Sequence, residues 1–104
     1  MPAYLIADVN VTDKDAYETY RTQVMPVVKQ YGGRFLVRGG KIETVEGDWR
    51  PSRIIVLQFA DLAAVRRFYD SKEYRAIIEF RHRAASTRLI FVEGYEEPHW
   101  EPPV

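Results

Sequence analysis

Arg53-Ile54-Ile55-Val56-Leu57-Gln58-Phe59 is the stretch on which the fold turns. Four aliphatic side chains in succession, closed by an aromatic one, predict a strand. Successive side chains on a strand point to opposite faces, so an apolar run without alternation predicts a strand covered on both sides. Working upstream, Gly47-Asp48-Trp49-Arg50-Pro51 is rich in turn formers and predicts a loop. Residues 34–38 predict a short strand, broken or bent by Gly39-Gly40 and resumed over 41–46. Residues 3–11 alternate. Leu5, Ala7, Val9 and Val11 point one way and Tyr4, Ile6, Asp8 and Asn10 the other, as in a half-buried strand. Between these strands, Thr12 followed by Asp15 resembles a capping box and opens a helix near Asp13. Its apolar stripe is Ala16, Tyr17, Tyr20, Val24, Val27, Val28 and Tyr31, with a kink expected at Pro26 and an end at Gly32-Gly33.

Downstream, Asp61 is the expected cap of a helix bearing Leu62, Val65, Phe68 and Tyr69. Ser71 is a second cap, opening a helix with Tyr74, Ile77, Ile78 and Arg81 along one side. Residues 88–95 predict the last strand. The order is strand, helix, strand, strand, helix in two pieces, strand. This is an α+β, ferredoxin-like βαββαβ sandwich whose second helix is broken in two. Its helices cover one sheet face only, while residues 53–59 read as apolar on both. A second copy of the chain is the expected cover for the other face, giving a homodimer.

The bulk properties narrow the functional classes. At 104 residues there is room for one core, a domain over 1–95 followed by a Pro-rich tail over 96–104. Fifteen basic and fifteen acidic side chains cancel, so no net field favours nucleic acid or an anionic membrane. Eleven of the basic residues are Arg, whose planar fork suits carboxylates and phosphates; an Arg-preferring genome would give the same bias. There is no Cys, which removes thiol chemistry and thiolate metal sites. The start of the chain lacks a basic run and carries Asp8 within its apolar stretch, so no signal peptide is read there, and the cytoplasm is the expected location.

The chain resembles the domain of unknown function 1330 family, part of the dimeric α/β-barrel group. The resemblance runs over residues 3–94 and rests on several features together. These are Tyr17, Tyr20, Gly32-Gly33, Arg38-Gly39-Gly40, Glu46-Gly47-Asp48-Trp49-Arg50-Pro51, Arg53, Phe59, Ser71-Lys72-Glu73-Tyr74 and Arg81. It implies a ferredoxin-like protomer whose open sheet face packs on its partner's, and it implies no particular reaction. The same fold group includes haem-degrading monooxygenases, and Phe68-Tyr69-Asp70-Ser71 resembles their Trp–x–x–Ser-like segment. Phe stands for the Trp, however, and the position of the haem-ligating His falls on or near Ile78, which leaves haem without an axial partner.

Candidate chemistry gathers at a few residues. Arg38, at a strand end beside two glycines, can present its fork to a carboxylate; a bulge with a surface Arg is the alternative. Glu46 and Asp48 share a turn near Arg53, which suits acid–base work, although pairing with Arg53 or Arg38 is the favoured reading. Asp8 and Asn10 point to the face expected to meet the partner, as an interface network or part of a pocket. Tyr69, Tyr74 and Arg81 can converge where the broken helix meets the sheet, or the tyrosines are core residues with their hydroxyls at the rim. His82 and His99 lack ligand spacing, so neither a metal nor another cofactor is expected. The candidate ligand-binding residues are therefore Arg38, Arg53, Tyr74, Arg81, Glu46, Asp8 and Asn10. The expected function is binding of a small anionic or aromatic metabolite in an Arg-lined cleft. A cofactor-independent isomerase or monooxygenase and a non-catalytic dimerisation module are the alternatives.

Overall fold

The computed structural model describes residues 1–103; Val104, the last residue of the expected tail, lies outside them. In chain order the elements are β1 (Ala3–Val11), α1 (Lys14–Gln30), β2 (Arg34–Arg38), β3 (Ile54–Phe59), α2 (Leu62–Asp70), α3 (Lys72–Ala84) and β4 (Ala85–Glu93). The four strands form one antiparallel sheet in the order β2-β3-β1-β4. This is the expected α+β ferredoxin-like sandwich, with its second helix divided at Ser71. Ser71 accepts from Tyr74 N through its hydroxyl at 3.1 Å and donates to Phe68 O at 2.8 Å, ending α2 and starting α3 in one residue. No helix is long and apolar enough to cross a membrane among the described residues.

The core lies between the helices and one sheet face. From β1 it takes Ala3, Leu5, Ala7 and Val9, and from β3 Leu57 and Phe59. The helices contribute Tyr17, Tyr20, Val24 and Val28 from α1, Phe68 from α2 and Tyr74, Ile77 and Ile78 from α3. On the other face Ile6, Ile54 and Val56 are only half-buried, and Val37, Ile90 and Val92 are exposed. The two-sided apolarity of residues 53–59 is thus covered on one side within a single chain.

Three local expectations change. Asp13, not Thr12, caps α1, accepting from Ala16 N at 3.1 Å. Thr12 instead donates from both its backbone N and its hydroxyl to Ala84 O, at 2.7 and 3.1 Å, which ties the start of α1 to the end of α3. The helix continues through Pro26, the position of the expected kink; Pro26 and Thr22, whose carbonyl loses its helical donor, are both exposed and open to water. Residues 41–46 form no strand, because after Gly39 the chain leaves the sheet and rejoins it only at Ile54. Finally, β4 starts at Ala85 rather than Arg88, since Ala85, Ser86 and Thr87 pair with Val11, Asn10 and Val9.

Candidate functional site

Between α1 and the sheet lies a narrow cavity of about 40 Å³. That is room for a few water molecules, or for the atoms of one small polar group. Four arginines line it (Arg21, Arg38, Arg53 and Arg81), together with Tyr17, Tyr20, Phe35, Phe68, Tyr74 and aliphatic side chains of the sheet and α1. No Asp, Glu or His is among the lining residues.

Each arginine reaches the cavity for a local reason. Phe35 pairs with Leu57 and Arg38 with Ile55, but Val37 pairs with Val56, so a β-bulge falls between Phe35 and Val37. Without the extra residue, Arg38 would sit on the opposite face from Phe35; the bulge restores it to the helix side. Its guanidinium carbon then stands 5.3 Å from the Phe35 ring centre. Arg53, just before β3, lies against Gly39, where a Cβ would run into the guanidinium group. Its charged end sits 5.4 Å from the Tyr17 ring centre, and its Nε is buried without a hydrogen-bond partner. Arg81 comes from α3 and is only 6% exposed, with a buried Nε that also has no partner.

Arg21 is the exception. It is held at the rim by Glu18 through two hydrogen bonds of 3.0 Å. That bond, more than anything else, holds the Glu18 carboxyl below its usual range, with smaller help from the charges of Arg38 and Arg53.

At the deep end, the hydroxyls of Tyr20 and Tyr74 lie 2.7 Å apart. Burial, reinforced by the neighbouring Tyr74 hydroxyl, pushes the Tyr20 phenol well above its ordinary value. Burial raises Tyr74 as well, against the opposing pull of the Arg81 charge. Both tyrosines are therefore neutral hydrogen-bond donors at ordinary pH, and neither is a base.

The sequence-derived candidates divide cleanly. Arg38, Arg53, Tyr74 and Arg81 come together in this cavity. Asp8, Asn10 and Glu46 do not. Asp8 points to the open sheet face, where its carboxylate accepts from Trp49 Nε1 at 2.9 Å and Arg88 Nη2 at 2.8 Å. Asn10 is exposed and accepts from Ser52 Oγ at 3.4 Å. The favoured pairing of Glu46 or Asp48 with Arg38 or Arg53 does not form among the described residues: with no strand over 41–46 there is no hairpin arm to bring them close. Glu46 stands exposed in the loop.

Tyr69 is half-buried against Tyr74 and Phe91, beside the cavity rather than in its wall. Sequence reasoning placed Tyr17 and Tyr20 in the core and did not count them as site residues. The available signal was a pair of tyrosines on an otherwise aliphatic helix stripe, since a buried phenol needs a partner for its hydroxyl. His82 contacts Glu79 on the surface at 3.2 Å, and no cluster of His, Asp and Glu fit to hold a metal ion occurs among the described residues.

The model of the family described as "Domain of unknown function (DUF1330)" matches residues 2–95. The chain belongs to the DUF1330 family. No curated protein matches its sequence. Among solved structures, this DUF1330 chain is similar to a protein of unknown function from Rhodopseudomonas palustris. That match has a TM-score of 0.73 and 19% identity over 92% of this chain and 84% of the other. It is also similar to SnoaB, a cofactor-independent oxygenase from Streptomyces nogalater, with a TM-score of 0.63 and 10% identity over 95% and 98% of the two chains. An EthD-family protein from Bacillus halodurans matches with a TM-score of 0.57 and 16% identity over 91% and 100%. At these identities the likeness is one of fold.

Proposed function

We propose that this DUF1330 protein binds a small anionic metabolite, aromatic or carrying a short apolar body, with its anionic group in the Arg-lined cavity of each protomer of a homodimer and its body at the cavity mouth. One observation carries the reading: four arginines line a largely apolar cavity, only Arg21 is paired with a carboxylate, at the rim, and no carboxylate lines the cavity itself. Clustered cations repel one another, and burying a guanidinium without an anion is unfavourable. A bound anion relieves both. The aromatic walls supply the apolar contact that such pockets use for affinity, with the arginines fixing orientation.

The fold likeness to SnoaB favours a second reading, in which the site is a cofactor-independent oxygenase. The cavity contains donors and no carboxylate or imidazole to take a proton from a substrate, so binding is the reading its chemistry supports best. The test is a thermal-shift panel of small carboxylates and phosphates on the wild type, Arg38→Ala and Arg38→Lys. At least one anion should raise the melting temperature of the wild type, and the rise should be smaller but not abolished in both variants, because Arg38 is one of several arginines at the cavity and Lys cannot reproduce its fork. A panel in which no anion stabilises the wild type removes the proposal.

A further inference from the structure

We infer that the anion is a monocarboxylate whose head group docks at the deep end, on Arg81 and the Tyr20–Tyr74 hydroxyl pair, with the mouth arginine Arg38 secondary. The inference rests on the binding function proposed above and specifies its chemistry. Arg81 is only 6% exposed; its one close side-chain partner is the neutral Tyr69 hydroxyl, its Nε has no hydrogen-bond partner, and no carboxylate pairs with it among the described residues. Such a group needs an anion at hydrogen-bond distance.

The tyrosine pair adds a second donor by proton counting. Two hydroxyls carry two protons, and only one can lie in the 2.7 Å contact between their oxygens. The other must point elsewhere, and neither hydroxyl has a further partner among the described residues. Both rings line the same cavity as Arg81. The deep end therefore offers one charged donor, one free hydroxyl proton and no anionic group, which fits the two oxygens of a carboxylate.

Size sharpens the class. About 40 Å³ is room for a small head group and not for a whole metabolite. A phosphate carries a second charge, and Arg81 is the one buried cation at the deep end to meet it. The ligand's body must then run toward Tyr17, Phe35 and the mouth, where Arg38 is exposed.

The experiment titrates benzoate and its neutral isostere benzamide, with acetate as the smaller acid, into wild type, Arg81→Met, Arg81→Lys, Tyr74→Phe and Arg38→Ala. Folding of each is checked by circular dichroism. Wild type should prefer benzoate over benzamide by about tenfold or more. Arg81→Met should abolish that preference, Arg81→Lys and Tyr74→Phe should each weaken benzoate several-fold, and Arg38→Ala should keep most of the preference. If Arg81→Met fails to fold, Arg81→Lys and Tyr74→Phe decide, and wild-type affinity in both overturns the inference. A preference that survives in Arg81→Met but vanishes in Arg38→Ala overturns it too, while leaving the cavity a binding site. So does a dimer structure with a carboxylate of the second copy on Arg81. If neither acid binds the wild type, the proposed function falls and the inference with it.

Discussion

At Gly39 the backbone holds φ at +72°, a conformation that side-chain-bearing residues adopt only under strain, and the Arg53 guanidinium occupies the space a Cβ would need. Its neighbour Gly40 has neither constraint: nothing lies within 4 Å of the position its Cβ would take. The two glycines read alike in the sequence, and only the backbone angle and the Arg53 contact separate them. We expect Gly39→Ala to destabilise the protein by about 1–2 kcal/mol and to displace Arg53, while Gly40→Ala stays within about 0.5 kcal/mol of wild type. Paired urea melts check this, and equal effects of the two substitutions would contradict it. Arg38 was legible as a candidate but not how it reaches the cavity. Phe35, Leu36 and Val37 are all apolar, so no polar residue marks which face each takes, and the bulge carries no glycine or proline to announce it. Tyr20 was legible as a buried residue of α1. Its role in the site depends on a contact with Tyr74, 54 positions away, which helix periodicity cannot show.

Among the elements, the segment between β2 and β3 departs most from its sequence pattern. Residues 41–46 look like a strand that resumes after the glycines, yet strand propensity gives a strand only where a neighbouring backbone is free to pair, and here β3 begins only at Ile54. The loop is fastened by side chains instead. Trp49 Nε1 donates to Asp8, Ser52 to Asn10, and Thr44 Oγ1 to Trp49 O at 2.8 Å. The hydrogen bond from Trp49, followed by that from Arg88, holds the Asp8 carboxyl below its usual value. A depressed folded-state pKa contributes stability that is present above the unfolded value of about 4 and is lost as pH falls through the folded one. The loop should therefore loosen in acid, below about pH 4, before the core unfolds. Trp49 emission, read in a Trp100→Phe background, should shift to the red in that window. In Asp8→Asn the step should be absent. Emission that stays constant down to global unfolding would show that the Asp8 anchor does not hold the loop.

At the scale of the whole molecule, the apolar run at residues 53–59 carried the most information. It gave the layer order and pointed to a sheet with one helical side and one side in need of a cover, and the strand order β2-β3-β1-β4 with three helices on one face agrees. The uncovered face presents Ile6, Ile54, Val56, Ile90 and Val92, with Ile90 58% exposed. Light scattering should give twice the chain mass at micromolar concentration, and Ile90→Arg should shift the protein toward the monomer, because a stable interface of more than about 1,000 Å² excludes charge from its centre. A monomer mass for the wild type would contradict the homodimer. The cavity was less legible as a whole. Its charges come from α1, the ends of β2 and β3, and α3, which only the folded chain brings together, while Glu46, Asp8 and Asn10 lie outside it. Whether those gathered arginines bind an anion is tested most directly by calorimetric titration of benzoate into the wild-type protein at neutral pH. We expect saturable binding at one site per chain with a dissociation constant of about 1 mM or tighter, lost in the Arg53→Met, Arg81→Met double variant. No saturable heat in the wild type, or equal binding by the double variant, would contradict an anion site in this cavity.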